Sequence, residues 1–63
     1  MKLDISARFY ILSEINRVLE GSQNTYNKLS RFSDVELMKM YKKLFPQSEQ
    51  SIFEIDGDYI ILK

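Results

Sequence analysis

The chain carries neither histidine nor cysteine. The side chains that most often act as general base, thiol nucleophile or zinc ligand near neutral pH are therefore missing. Carboxylates, amines, phenols and hydroxyls remain. The tightest carboxylate grouping is Asp56-Gly57-Asp58. It has the look of a calcium-loop fragment, but the D-x-[DN]-x-[DN]-G ligand series is absent and no glutamate closes it. A tight turn accounts for the same three residues. No G-x-S-x-G, P-loop or G-x-G-x-x-G segment occurs. The other acidic pairs fall on polar faces, where solvation explains them. The expectation is a chain with no catalytic residue, no cofactor, no metal and no small-molecule substrate. At 63 residues it has little material to wall off a pocket of roughly 300 Å³ or more.

Binding chemistry is better represented. Nine basic and nine acidic residues cancel, but unevenly along the chain. Residues 1–23 balance, residues 24–45 are basic, and the tail is acidic. Lys28, Arg31, Lys39, Lys42 and Lys43 form the basic stretch and are the candidate nucleic-acid contacts. Met38, Met40 and Tyr41 lie within it. Methionine adapts to irregular surfaces, and Met40 falls off the main apolar stripe, so it is a candidate protein contact.

The elements that must position these residues follow from periodicity. Ile5, Phe9, Leu12, Ile15 and Leu19 recur at helical spacing, with Ile11 and Val18 beside them, which predicts a first helix from Asp4 or Ile5 to Glu20. Asp4 suits the helix start and stands four residues before Arg8. Gly21 supplies the stop. Ser22-Gln23-Asn24-Thr25 reads as a polar connector, and Thr25–Phe32 as a two-turn helix. Ser33-Asp34-Val35-Glu36 is a capping box, with Phe32 and Leu37 placed as a hydrophobic staple. The third helix therefore starts at Asp34, presents Val35, Leu37, Met38, Tyr41, Leu44 and Phe45 inward, and ends before Pro46. Gln47-Ser48-Glu49-Gln50 is the second connector.

Two apolar, β-branched runs around Asp56-Gly57 predict a tight hairpin. With a two-residue turn at Asp56-Gly57, Phe53, Ile55, Ile60 and Leu62 share one face, and Ile52, Tyr59 and Ile61 share the other, with Glu54 and Lys63. Helix 1 can cover one face. The second face and the edge of Tyr59–Lys63 are spare, and exposed edges invite pairing. Chains of about 60 residues are marginally stable without disulfides, metals or association, and association is the option left here.

These observations predict an α+β fold: two or three helices packed on a C-terminal two-stranded antiparallel hairpin, in the order α-α-α-β-β, as one small domain over residues 1–63. The expected core is Phe9, Leu12, Ile15, Leu19, Leu29, Phe32, Leu37, Tyr41, Leu44, Phe53, Ile55, Ile60 and Leu62. The expected function is binding to a protein partner or to a second copy, through Ile52, Tyr59, Ile61 and Met40. Size and the lack of catalytic groups resemble those of small bacterial or phage regulators and inhibitors. The competing expectation is a winged-helix DNA-binding regulator using helix 3 and the hairpin as wing. Asp34 and Glu36 in the first turn of helix 3, the acidic Asp56-Gly57-Asp58 tip and the zero net charge argue against it. Having no cysteine fits a reducing compartment, and no signal-like or membrane-length apolar run occurs, so the chain reads as cytoplasmic and not membrane-bound.

Overall fold

The computed structural model describes residues 2–19, 21–46 and 52–63. In chain order these form β1 (Lys2–Leu3), α1 (Ile5–Leu19), α2 (Gln23–Leu29), α3 (Asp34–Leu44), β2 (Phe53–Asp56) and β3 (Tyr59–Leu62). The three helices lie with a three-stranded mixed sheet of order β1-β3-β2. The α+β expectation holds, but the two-stranded hairpin gains a strand from the front of the chain. β1 pairs in parallel with β3, Lys2 beside Tyr59 and Leu3 beside Ile60. The Lys2 N–H donates to the Asp58 carbonyl and the Asp4 N–H to the Ile60 carbonyl, each at 2.9 Å. Two residues carry no readable period, so nothing in Lys2-Leu3 announces a strand.

The turn also sits one residue later than expected. Phe53 pairs with Leu62, Ile55 with Ile60 and Asp56 with Tyr59, so the two turn residues are Gly57 and Asp58. Gly57 has φ +65° and Asp58 has no positive φ. A left-handed residue at the first central position alone is the type II′ pattern, which calls for glycine there. The pairing slides by two positions relative to an Asp56-Gly57 turn. Strand alternation has a period of two, so the slide leaves the same residues sharing each face.

α1 starts where the Asp4 carboxylate accepts the Ser6 N–H at 3.1 Å. Beyond its end, Gly21 (φ +75°) donates its N–H to the Asn16 carbonyl at 2.7 Å. Glu20, the expected last helical residue, lies outside the described residues, as do the Gln47–Gln50 connector and Ser51. The buried side of α1 is Ala7, Ile11, Leu12 and Ile15. This is a different stripe from the expected one. Ala7 is fully buried, while Ile5, Phe9 and Leu19 are 85, 62 and 48% exposed. Periodicity weighted by size favoured the large side chains, whereas close approach of the helix selected the small one.

The connector expected at Ser22–Thr25 is a helix start instead. Ser22 is the N-cap of α2 and its Oγ accepts the Thr25 N–H at 3.2 Å. α2 therefore begins two residues early and ends at Leu29, which leaves Phe32 in the turn before α3. The α3 cap is as expected: Ser33 Oγ accepts the Glu36 N–H, and Glu36 Oε1 accepts the Ser33 N–H, both at 3.2 Å. Leu37, Met38 and Tyr41 are buried, but Val35 is half exposed. The helix stops at Leu44, with Phe45 (φ −127°, ψ 62°) leaving helical geometry ahead of Pro46.

One core cluster joins the layers: Leu3, Ala7, Ile11, Leu12, Ile15, Leu29, Leu37, Met38, Tyr41, Phe53 and Ile60. Phe53 stands edge-on to Tyr10 of α1 and Tyr41 of α3, with ring centroids 6.0 Å away in each case. Both helices thus cover the Leu3, Phe53 and Ile60 side of the sheet. Ile55 has the same facing as Phe53, yet it is 81% exposed. It sits at the turn end of the edge strand, beyond the helix layer, so its expected core role fails. Among the described residues no helix is long and apolar enough to cross a membrane.

Candidate functional site: the outer face of the sheet

Strand alternation assigns Lys2, Glu54, Asp56, Tyr59 and Ile61 to the side of the sheet opposite Leu3, Phe53 and Ile60. The registers arrange them in rows. Lys2, Tyr59 and Asp56 run across the three strands side by side, and Ile61 lies beside Glu54 in the next row. Tyr59 is 47% exposed, Ile61 is half-buried, and Lys2, Glu54, Asp56 and Lys63 are exposed. The face is thus an aromatic and an aliphatic side chain flanked by acids on β2 and by Lys2 on β1. Neither is among the residues that make up or pack against the core.

Two expected members behave differently. Ile52, expected beside Tyr59 and Ile61, is half-buried and packs against the core. It precedes β2 rather than lying in it, so strand alternation does not govern its side chain. Met40 is likewise half-buried against the core, at the margin of α3. The expected open edge of Tyr59–Lys63 is also partly closed, because β1 occupies it along Tyr59 and Ile60. β3 is central, and the hairpin's other outer edge belongs to β2.

A second apolar surface was not anticipated. Ile5, Ser6, Phe9, Tyr10, Ser13 and Leu62 line an open groove of about 420 Å³, floored by the flank of α1 that the rotated stripe leaves uncovered. Phe9 is supported from one side by Tyr26, edge-on at 6.5 Å between centroids. Tyr10 borders the groove and the core together. Burial, with Tyr41 and Glu14 nearby, pushes its phenol above the ordinary value of 10.0. At the other end of the helix's exposed side, Arg17 forks onto Glu14 at 3.0 Å.

The basic candidates all reach solvent: Lys28 near the end of α2, Arg31 in the turn after it, and Lys39, Lys42 and Lys43 on α3. Of the acids expected to oppose nucleic acid, the two in the first turn of α3 are engaged, while Asp56 and Asp58 at the hairpin tip are exposed. Glu36 closes the capping box. Asp34 forms an ion pair with Arg8, Oδ1 to Nη1 at 2.6 Å, and its Oδ2 accepts the Leu3 N–H at 2.9 Å. Nη2 of Arg8 donates to the Ser30 and Phe32 carbonyls, each at 2.8 Å. This pin ties β1, α1 and the α2–α3 turn together, and it holds β1 where Lys2 can join the outer face. Sequence spacing set Asp4 both at the start of α1 and four residues before Arg8; the first role holds, and Arg8 turns to Asp34 instead. A contact between residues 8 and 34 has no local signature.

Among the described residues no three His, Cys, Asp or Glu side chains gather closely enough to hold a metal ion. Neither a protein-family model, nor a curated protein, nor a solved structure matches this chain.

Proposed function

We propose that the protein is a small non-enzymatic regulator or inhibitor that acts by binding a protein partner, a different chain or a second copy of itself, through the outer face and exposed edge of its C-terminal sheet. One observation carries the reading: α1 and α3 both pack on the Phe53 and Ile60 side, so among the described residues no helix lies over the face that holds Tyr59 and Ile61. Aromatic and aliphatic side chains ringed by charge are the composition of an interface centre with a polar rim. The absence of histidine and cysteine supports a role without catalysis and fits a cytoplasmic setting. The test is affinity capture from the source cell with the immobilised chain, run beside Ile61→Lys and, as a control in the groove, Phe9→Ser. The reading requires that Ile61→Lys loses the captured protein and Phe9→Ser keeps it. The reverse pattern moves the site to the groove.

A winged-helix DNA regulator is the second reading. It draws support from the pairing of Asp34 with Arg8, which neutralises one of the two acids in the first turn of the helix that carries Lys39, Lys42 and Lys43. The two readings separate by the steepness of the salt dependence, since several phosphate contacts release counterions together, whereas a face centred on Tyr59 and Ile61 with a few rim charges is only screened. Our reading expects only weak, non-specific duplex binding at physiological salt. A tight, sequence-selective complex that weakens after Lys39→Ala and Lys42→Ala would replace it.

A further inference from the structure

We propose that the occupant of the outer face is a second copy of this chain, docked face to face about a two-fold axis running along β3; this rests on the reading of that face as the binding surface. The charge pattern selects both the partner and the axis. Edge-to-edge pairing of two β2 strands is disfavoured. Antiparallel registers centred on Glu54, Ile55 or Asp56 set Glu54 against Glu54, Glu54 against Asp56, or Asp56 against Asp56, and like charges directly opposite repel. Face-to-face packing with the axis across the strands also stacks β2 on β2 and brings the acids together.

The axis along β3 does the opposite. It lays β2 of one copy over β1 of the other. Lys2 and Asp56 flank Tyr59 in a single cross-strand row, so Asp56 of each copy falls opposite Lys2 of the other. The contact forms twice by symmetry. Tyr59 and Ile61 lie on the central strand and meet their own counterparts at the axis; Lys63, exposed just past the end of β3, gives a like-charged pair that this axis brings near, at its solvent end. Packed sheets sit about 10 Å apart, a gap that lysine and aspartate side chains span together. Glu54 of one copy falls where the other chain leaves β1. The carboxylate there, Asp4, is engaged in accepting the Ser6 N–H at 3.1 Å. A face of three short strands is smaller than the roughly 800 Å² per partner of a standard stable interface. The dimer is therefore weak and depends on concentration.

The test exploits the charge pair. Sedimentation of the intact chain from about 10 µM to about 1 mM covers the range in which a weak complex reports. The wild type should shift from monomer toward dimer. Lys2→Asp and Asp56→Lys should each weaken association at least about tenfold, because each homodimer then sets like charges in contact. Mixed in equal amounts, they should recover a dimer within about threefold of wild type, since the mixed pair restores both contacts. Circular dichroism checks that both variants fold. A second measurement does not depend on them. The chain has no cysteine, so Ile61→Cys, on the axis, should cross-link to itself with a short bifunctional thiol reagent that bridges the gap between sheets, too wide for a direct disulfide, whereas Glu54→Cys, off the axis and further from its counterpart, should cross-link far less. A wild type that stays monomeric throughout, a mixture that fails to associate, or equal cross-linking of both cysteine variants overturns the second copy. If the monomer still captures a different protein through Ile61, the binding-surface reading survives and only the identity of the partner changes.

Discussion

Replacing Asp34 by alanine should destabilise the protein far more than an exposed acidic residue in a helix first turn normally would. The carboxylate does two things at once. It accepts the Leu3 N–H at 2.9 Å and pairs with Arg8 at 2.6 Å, with each of the two side chains about 27% exposed. A hydrogen bond to a charged group contributes about 1.5–3 kcal/mol. The ion pair deserves the lower figure for exposed pairs, about 1 kcal/mol, because partial exposure screens it. Arg8 is not orphaned by the change, since it keeps the Ser30 and Phe32 carbonyls. The sum is about 2.5–4 kcal/mol. A chain of this length has a total stability of roughly 3–9 kcal/mol, so the loss is a large part of the whole. It should lower the melting temperature by about 10–30 °C. Urea unfolding and thermal melting provide the global values, and amide exchange provides the place. The Asp4 N–H, which donates to the Ile60 carbonyl, should lose protection before the amides of α3. Asp34→Asn, which keeps an acceptor for Leu3 but not the charge, should fall between. If Asp34→Ala unfolds within about 0.5 kcal/mol of wild type and Asp4 protection is unchanged, the pin does not hold β1 and the reasoning fails.

Three further outcomes are expected. Gly57→Val should cost about 1–2 kcal/mol by conformation alone, since φ is +65° and a Cβ there meets nothing within 4 Å; Asp58→Asn should melt like wild type. Ser33→Ala should lower stability in urea by about 0.5–2 kcal/mol, more than Glu36→Ala does, because the cap oxygen holds the Glu36 N–H. Burial raises the Tyr10 phenol above its ordinary value, so the folded state keeps that proton where the unfolded chain has lost it. Its contribution is then complete below about pH 10 and is lost as pH climbs through the folded-state value. Tyr10→Phe should therefore show a smaller fall in urea midpoint than wild type above pH about 10.

Features governed by neighbours in sequence were the legible ones. The capping box at Ser33 and Glu36 is a four-residue signature, and the structure reproduces both of its bonds. The hairpin was visible in composition, and even its displaced turn preserved the faces because the slide was even. Features governed by distant packing were not. The α1 stripe turned on Ala7, whose small side chain carries little weight in any apolar pattern. Ile55 satisfied strand alternation but lay past the reach of the helices, which alternation does not encode. β1 needs the third strand already in place before two residues can pair, and Asp34 becomes a pin only when the fold brings Arg8 to it. For the candidate site, Tyr59 and Ile61 were assigned to the correct side of the sheet by period alone. Lys2, which completes the charged row, could not be placed before β1 was known.

The most direct measurement of the account is a chemical-shift map of the isotope-labelled chain as the protein captured from the source cell, or unlabelled chain itself, is added. The account requires the largest changes at Lys2, Glu54, Asp56, Tyr59 and Ile61, with the amides around Ile5, Phe9 and Ser13 and those of Lys39, Lys42 and Lys43 undisturbed. Changes confined to the α1 groove or to the lysines of α3, with the outer face silent, would contradict it.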